Sequence, residues 1–368
     1  MKRVCVLLQK KINISETAAS SVLNAFSFNG YEFDELCILP QSEESRVRET
    51  LARLKKESEM ILLLADKTAL TVAKRYIDES FSQESMQGSF GNAGIYREKQ
   101  CTLFLLSADK TETGAEYVKN ACVPYLQQQN GIRYEKIVLR CVGANDSRIQ
   151  ALFAECKEYS GDKMRYARTR KYDEDILAIT YDSNSPKMMV DDVLRKLVDG
   201  LGDTLYAMED TSLEEQVVSI LKLRQRKISV AESFTGGGIA KRLTAVPGAS
   251  EVYFEGLNTY NESSKVKRLG VSEYTLKMQG AVSDQTAYEM VCGLLNTQDC
   301  DVAIATTGIA GPKSDRSMQP VGLCYLAVGT REHIRVYRYI FDGDREEIRE
   351  KAINYALFYA YKQLKDYN

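Results

Sequence analysis

The sequence predicts a multidomain α/β protein, on three observations. Its 368 residues exceed one ordinary core and suit two or three domains of roughly 100 to 200 residues each. Apolar, β-branched runs alternate with helical stretches through the first 134 residues, the pattern of a parallel sheet flanked by helices. Near the carboxyl end, Val321 to Val328 and Ile334 to Phe341 read as an antiparallel hairpin around Gly329 to Glu332. That hairpin makes the last sheet a mixed one between helices, a three-layer α/β/α domain.

The elements follow in order. Val4 to Leu8 is a strand, Ser15 to Asn29 a helix, Glu43 to Glu57 a charged helix, Met60 to Ala65 a strand, Thr68 to Ile77 a helix and Cys101 to Leu106 a strand. Ser80 to Gly94, rich in Ser, Gln, Gly and Asn, reads as an exposed loop. From 135 to 204 the pattern is a compact α+β module: strand Lys136 to Val142, helix Asp146 to Glu158, a basic stretch, strand Ile176 to Tyr181 and helix Lys187 to Leu201. The basic stretch carries Lys163, Arg165, Arg168, Arg170 and Lys171, and its plain reading is a solvated hairpin rather than an RNA surface. Residues 205 to 368 form the third domain. It opens on Thr211 and Glu214, whose spacing predicts a capping box and a helix to about Arg226.

Composition removes several classes of function. With 44% hydrophobic and 27% charged residues the chain is neither disordered nor fibrous. Forty-nine basic against 51 acidic residues, a formal charge of −2, leave no whole-chain case for nucleic acid or an acidic membrane surface. The apolar run Val4 to Leu8 is too short for a signal peptide, and no later run approaches the roughly 18 to 20 residues that span a bilayer, so a cytoplasmic location is expected. Nine scattered cysteines without a Cys-x-x-Cys pair, and His333 as the only histidine, exclude zinc sites and histidine-based triads. No metal and no cofactor is expected. Acid–base chemistry falls to Lys, Tyr, Asp or Glu.

Four segments concentrate polar residues at strand ends. Ala231-Glu-Ser-Phe-Thr-Gly-Gly-Gly238 joins a strand to a helix, a turn whose amides suit a phosphate or a developing oxyanion. Thr259-Tyr-Asn-Glu-Ser-Ser-Lys265 supplies Tyr260 and Lys265, a pair able to replace histidine if the lysine is desolvated. Asp301 to Pro312 is a buried strand running into a loop with Thr307, Gly308 and Gly311. Gly343-Asp-Arg345 opens the last helix, where an arginine is unfavourable for the helix dipole unless it faces an anion or a carboxylate such as Asp344. In an open α/β sheet such strand ends share one crevice.

The stretches VAESFTGGGIAKRLTAVPGAS, TYNESSKVKRLGV, GAVSDQTA, ATTGIAGP, PVG and GDREEIR, in collinear order over about 205 to 368, resemble the C-terminal domain of the competence/damage-inducible CinA family, the nicotinamide mononucleotide deamidases. VGANDSRI and GLGDTLYAMEDTSLEEQV are similar to that family's middle, KH-like module and its junction. Residues 1 to 134 occupy the place of its molybdopterin-binding-like domain. There Leu62 to Ala69 lacks the glycines of the family's GGLGPT-type turn, so a degenerate domain is expected, a scaffold or dimer interface without the ADP-ribose hydrolysis associated with that region.

The resemblance implies hydrolysis of nicotinamide mononucleotide to nicotinic acid mononucleotide and ammonia, in pyridine nucleotide recycling. It assigns Ser233 as nucleophile, Lys265 as base and proton shuttle, and Tyr260 as an orienting or relaying group. Thr235 and the amides of Gly236 and Gly237 supply oxyanion donors or grip phosphate. Thr307, Gly308 and Arg345 contact ribose or phosphate. A small nucleotide substrate and a homodimer are expected, with neither membrane nor nucleic acid as partner. An acyl intermediate and direct activation of water both remain open, and a catalytically silent, nucleotide-binding or regulatory protein is the alternative. The chain departs from the family at Phe234, where the family has Cys, and at Glu262, where it has an amide.

Overall fold

The computed structural model describes residues 2–9, 18–83, 93–107, 111–313 and 318–366. The start of the helix expected from Ser15, the middle of the loop expected between Ser80 and Gly94, and most of the segment from Lys313 to Met318 lie outside the described residues. The chain divides into two compact units, residues 1–136 with 180–186, and residues 137–179 with 187–368. The segment read as a middle module thus falls mainly within the second unit.

The first unit holds a six-stranded sheet in the order Glu35–Pro40, Lys2–Gln9, Ser58–Ala65, Cys101–Ser107, Gly94–Glu98, Ser82–Gln83. The first four strands are parallel and the last two antiparallel, so the layer expected to be parallel carries an antiparallel edge. The middles of its central strands, Val4 to Leu8 and Met60 to Ala65, are apolar because both faces are covered. Val4, Val6 and Leu8 meet Val47, Leu51 and Leu54 of helix Glu44–Glu57 on one side. Cys5 and Leu7 meet Val22 and Phe26 of helix Ala18–Phe28 on the other. Glu35–Pro40 escaped the sequence reading because an edge strand buries only Leu39 and shows no clean alternation.

A four-stranded sheet follows in the order Leu205–Ala207, Tyr134–Val142, Glu174–Asp182, Met164–Lys171. The basic stretch is the Met164–Lys171 strand, joined to Glu174–Asp182 by Tyr172 and Asp173, both at positive φ. Its charge is largely answered within the fold: Arg168 Nε and Arg170 donate to the buried Asp175 at 2.7 and 3.1 Å, and Arg168 also meets Asp146. Helix Lys187–Leu201 has the bounds the sequence predicts.

The last sheet runs Tyr253–Asn258, Ile228–Glu232, Val302–Gly308, Leu323–Gly329, Ile334–Ile340, the first three strands parallel and the last two antiparallel. Helices Leu213–Leu223, Gly238–Ala245 and Arg345–Asp366 cover one face, packing on Ile228, Val230 and Ile304. Helix Asp284–Asn296 covers the other through Ala287, Met290, Val291 and Leu294, packing on Ala231, Ala303 and Ala305. This is the expected α/β/α arrangement with a mixed sheet. The capping box is real but one residue on: Ser212 and Glu215 form it, and the helix ends at Leu223 rather than near Arg226. Glu214, assigned to the box by the sequence, instead receives Arg242 at 2.5 Å.

Strand Ile228–Glu232 lies between the next two strands in sequence. The chain leaves it toward Tyr253–Asn258 on one side and returns to Val302–Gly308 on the other. Connections that part in this way open a crevice at the carboxyl ends of the strands.

Candidate active site

Three strand ends are tied together at that crevice. The Ser233 amide donates to Thr306 O at 3.0 Å and the Thr259 amide to Glu232 O at 2.8 Å. After Ser233 the backbone turns at once: Gly236 N–H donates to Ser233 O at 3.1 Å and Gly238 N–H to Thr235 O at 3.3 Å. Gly236 and Gly237 have φ of 61° and 92°, values that glycine adopts without a Cβ penalty. A Cβ on Gly238 would lie 2.3 Å from Ile353 Cδ1. The three glycines therefore serve the turn and the helix packing.

The buried carboxylate of Glu232 accepts the N–H groups of Gly237, Ile239 and Ala240 at 3.0, 3.1 and 2.9 Å. A helix start expected to face a ligand phosphate is thus capped by a carboxylate of the chain itself. The amides of Gly236 and Gly237 are both engaged, which removes them as the free oxyanion or phosphate donors the sequence suggested. Thr235 is fully buried and its hydroxyl shares a 2.7 Å hydrogen bond with that of Thr306.

Lys265 approaches from helix Glu262–Leu269, whose start is capped by Asn261 accepting Ser263 N–H at 2.9 Å. Its side chain is 1% exposed. Nζ lies 2.9 Å from Ser233 Oγ and donates to Thr259 O at 2.6 Å. Burial brings its pKa down to about 8 from the usual 10.5, against a small upward pull from Glu262. A neutral amine has two N–H bonds and one lone pair. With one N–H held by the Thr259 carbonyl, the lone pair is available to the Ser233 hydroxyl.

The other residues singled out by the sequence fall elsewhere. Tyr260 is 62% exposed, and its hydroxyl accepts from Arg345 at 3.0 Å, with no hydrogen bond to Ser233 or Lys265. A relay through Tyr260 is absent from this arrangement, because the residue after Thr259 turns outward as Lys265 takes the inner position. Thr307 is buried and donates to Ala281 O at 2.6 Å, so its hydroxyl is spent on the fold. Gly308 is a packing glycine, since a Cβ there would lie 2.6 Å from Cys324 Cβ. Arg345 reaches Gly311 O at 2.7 Å as well as Tyr260, and Asp344, its expected carboxylate partner, instead caps the helix by accepting Glu346 and Glu347 amides.

Two contributors escaped the sequence reading. Arg349, one helical turn beyond Arg345, donates to Thr235 O at 2.6 Å. Neither arginine forms an ion pair among the described residues. Glu232 carried a signal, a carboxylate ending an otherwise apolar strand. Phe234 packs among Ala310, Cys324, Leu326 and Phe341, so the departure from cysteine is absorbed by the core.

The family profile described as the CinA C-terminal domain matches residues 210–364. A protein of Caldicellulosiruptor saccharolyticus named for competence-damage inducibility is 38% identical over 254 residues, 68% of this chain and 61% of its own. A CinA-like protein of Kosmotoga olearia is 36% identical over 67% of this chain and 60% of its own. The chain thus spans about three fifths of the length of these curated relatives. A crystal structure of a CinA superfamily protein from Klebsiella pneumoniae is 32% identical, covering 42% of this chain and 97% of its own, with a TM-score of 0.41.

Proposed function

Because the chain belongs to the CinA family through its carboxyl-terminal domain, we propose that the Ser233–Lys265 site hydrolyses the carboxamide of nicotinamide mononucleotide to nicotinic acid mononucleotide and ammonia. The observation that carries this reading is the 2.9 Å contact between Ser233 Oγ and an amine buried to a pKa of about 8. Neutral Lys265 takes the hydroxyl proton as Oγ bonds to the amide carbon, and the carbonyl electron pair moves onto oxygen. On collapse the C–N bond breaks and the Lys265 ammonium protonates the departing amide nitrogen, which leaves as ammonia. Water then attacks the acyl-Ser233 as Lys265 takes its proton, and on collapse the C–Oγ bond breaks, Lys265 returns the proton to Ser233 Oγ and nicotinic acid mononucleotide leaves.

Arg349, at Thr235 O of the turn, and Arg345, at Gly311 O and Tyr260, support a phosphate-bearing substrate, since neither has a carboxylate to neutralise it among the described residues. Glu262 is exposed at the start of its helix, where solvent screens its charge. Ammonia release from nicotinamide mononucleotide by the full chain, compared with Ser233→Ala and Lys265→Ala, tests the proposal. Release by the native chain and loss in both variants supports it. Tight binding without release by the native chain would instead favour a silent, nucleotide-binding protein.

A further inference from the structure

The turn after Ser233 leaves two adjacent amides over. Among the described residues, the N–H groups of Phe234 and Thr235 donate to nothing, whereas those of Ser233, Gly236, Gly237 and Gly238 are all engaged. This follows from the Ser233–Gly236 turn, which closes on its outer residues and leaves its two central N–H groups unused. Both residues are buried, and buried backbone N–H groups are nearly always paired. Two successive exceptions beside a hydroxyl held by an amine call for a partner.

We propose that the amides of Phe234 and Thr235 form the oxyanion hole for attack by Ser233. The assignment rests on the reading that Ser233 attacks a carbonyl carbon. As the Oγ–C bond forms, the C=O electron pair becomes an alkoxide that accepts both N–H groups. When it collapses, the pair re-forms the carbonyl and the leaving group departs with the proton from Lys265. The turn is fixed on three sides before substrate arrives: Glu232 holds its far end through three amides, Arg349 holds Thr235 O, and the Phe234 ring is packed in the core. Donors fixed in advance are what stabilise developing charge without reorganisation. The glycines remain necessary, but as the hinge that leaves the two preceding amides free.

Replacing Phe234 by phenyllactic acid, an amide-to-ester exchange, deletes one N–H and keeps the side chain. Two readouts separate this proposal from the choice of substrate: ammonia release from nicotinamide mononucleotide, and acylation of Ser233 by p-nitrophenyl acetate above a Ser233→Ala blank. A loss of about 100-fold in either reaction that the native chain performs, with circular dichroism unchanged, is expected for one oxyanion donor. The matching exchange at Thr235 should do the same. If the native chain acylates but releases no ammonia, the substrate reading fails while the hole is still tested. Rates within about threefold of native for both exchanges, or no acylation of native Ser233 by either compound, would overturn it.

Discussion

Two sheets in this chain wind alike and end differently. In the first unit Lys2–Gln9 lies between Glu35–Pro40 and Ser58–Ala65, and in the last sheet Ile228–Glu232 lies between Tyr253–Asn258 and Val302–Gly308. Both place the first strand centrally and open a crevice where the connections part. At the later crevice a hydroxyl, a buried amine and two unpaired amides converge. At the earlier one the described end of Ser58–Ala65 leads to Asp66, whose carboxylate accepts Ala69 N–H at 2.8 Å and caps the next helix. Winding supplies the place for a site, and the side chains at the strand ends decide whether chemistry follows.

That contrast is open to test, and the largest effects belong to the later crevice. Ser233→Ala and Lys265→Ala should each lower ammonia release by at least about a thousandfold, since nucleophile and base act as a unit. Asp66→Ala should leave that rate unchanged. Comparable losses at Asp66 would break the contrast. Arg345→Ala should raise KM by about 10- to 100-fold with less effect on kcat, the loss of one charge-assisted contact to a phosphate. Steady-state kinetics separate the two constants.

Stability should divide the units in the opposite sense. A lysine whose folded pKa lies near 8 binds fewer protons than the unfolded chain between about 8 and 10.5, so the native fold gains stability as pH rises through that window and carries the full cost of burying the charge below it. Lys265→Met should therefore stabilise the protein at pH 7 by roughly 1–3 kcal/mol and lose that advantage by about pH 10.5. Urea unfolding at the two pH values reads the difference. Asp66→Ala, which removes a helix cap, should destabilise the first unit by about 1 kcal/mol. Smallest is Glu262→Gln: removing its upward pull on Lys265 should move the pH–rate profile lower. A shift upward would contradict the electrostatic account.

The strands and helices that bury apolar faces were legible from periodicity, as were the bounds of Lys187–Leu201 and the mixed hairpin sheet. Ser233 and Lys265 were legible as residue types at strand ends, and their convergence across 32 residues, implied by a shared crevice and by their assigned roles, is met by the 2.9 Å contact. The roles of Gly236 and Gly237 were misread, since a sequence does not show that Glu232 already occupies the helix start. Tyr260 and Lys265 are five positions apart, and only the path of the helix decides which of them turns inward. Arg349 needed the Arg345–Asp366 helix to be placed before its reach to Thr235 could be seen.

The pH dependence of kcat/KM for ammonia release from nicotinamide mononucleotide bears most directly on the dyad. A single rising limb with an apparent pKa of about 8, lost with the activity in Lys265→Ala, is the result expected from an amine at that burial. Undiminished release in Lys265→Ala, or no release by the intact chain at any pH, would contradict it.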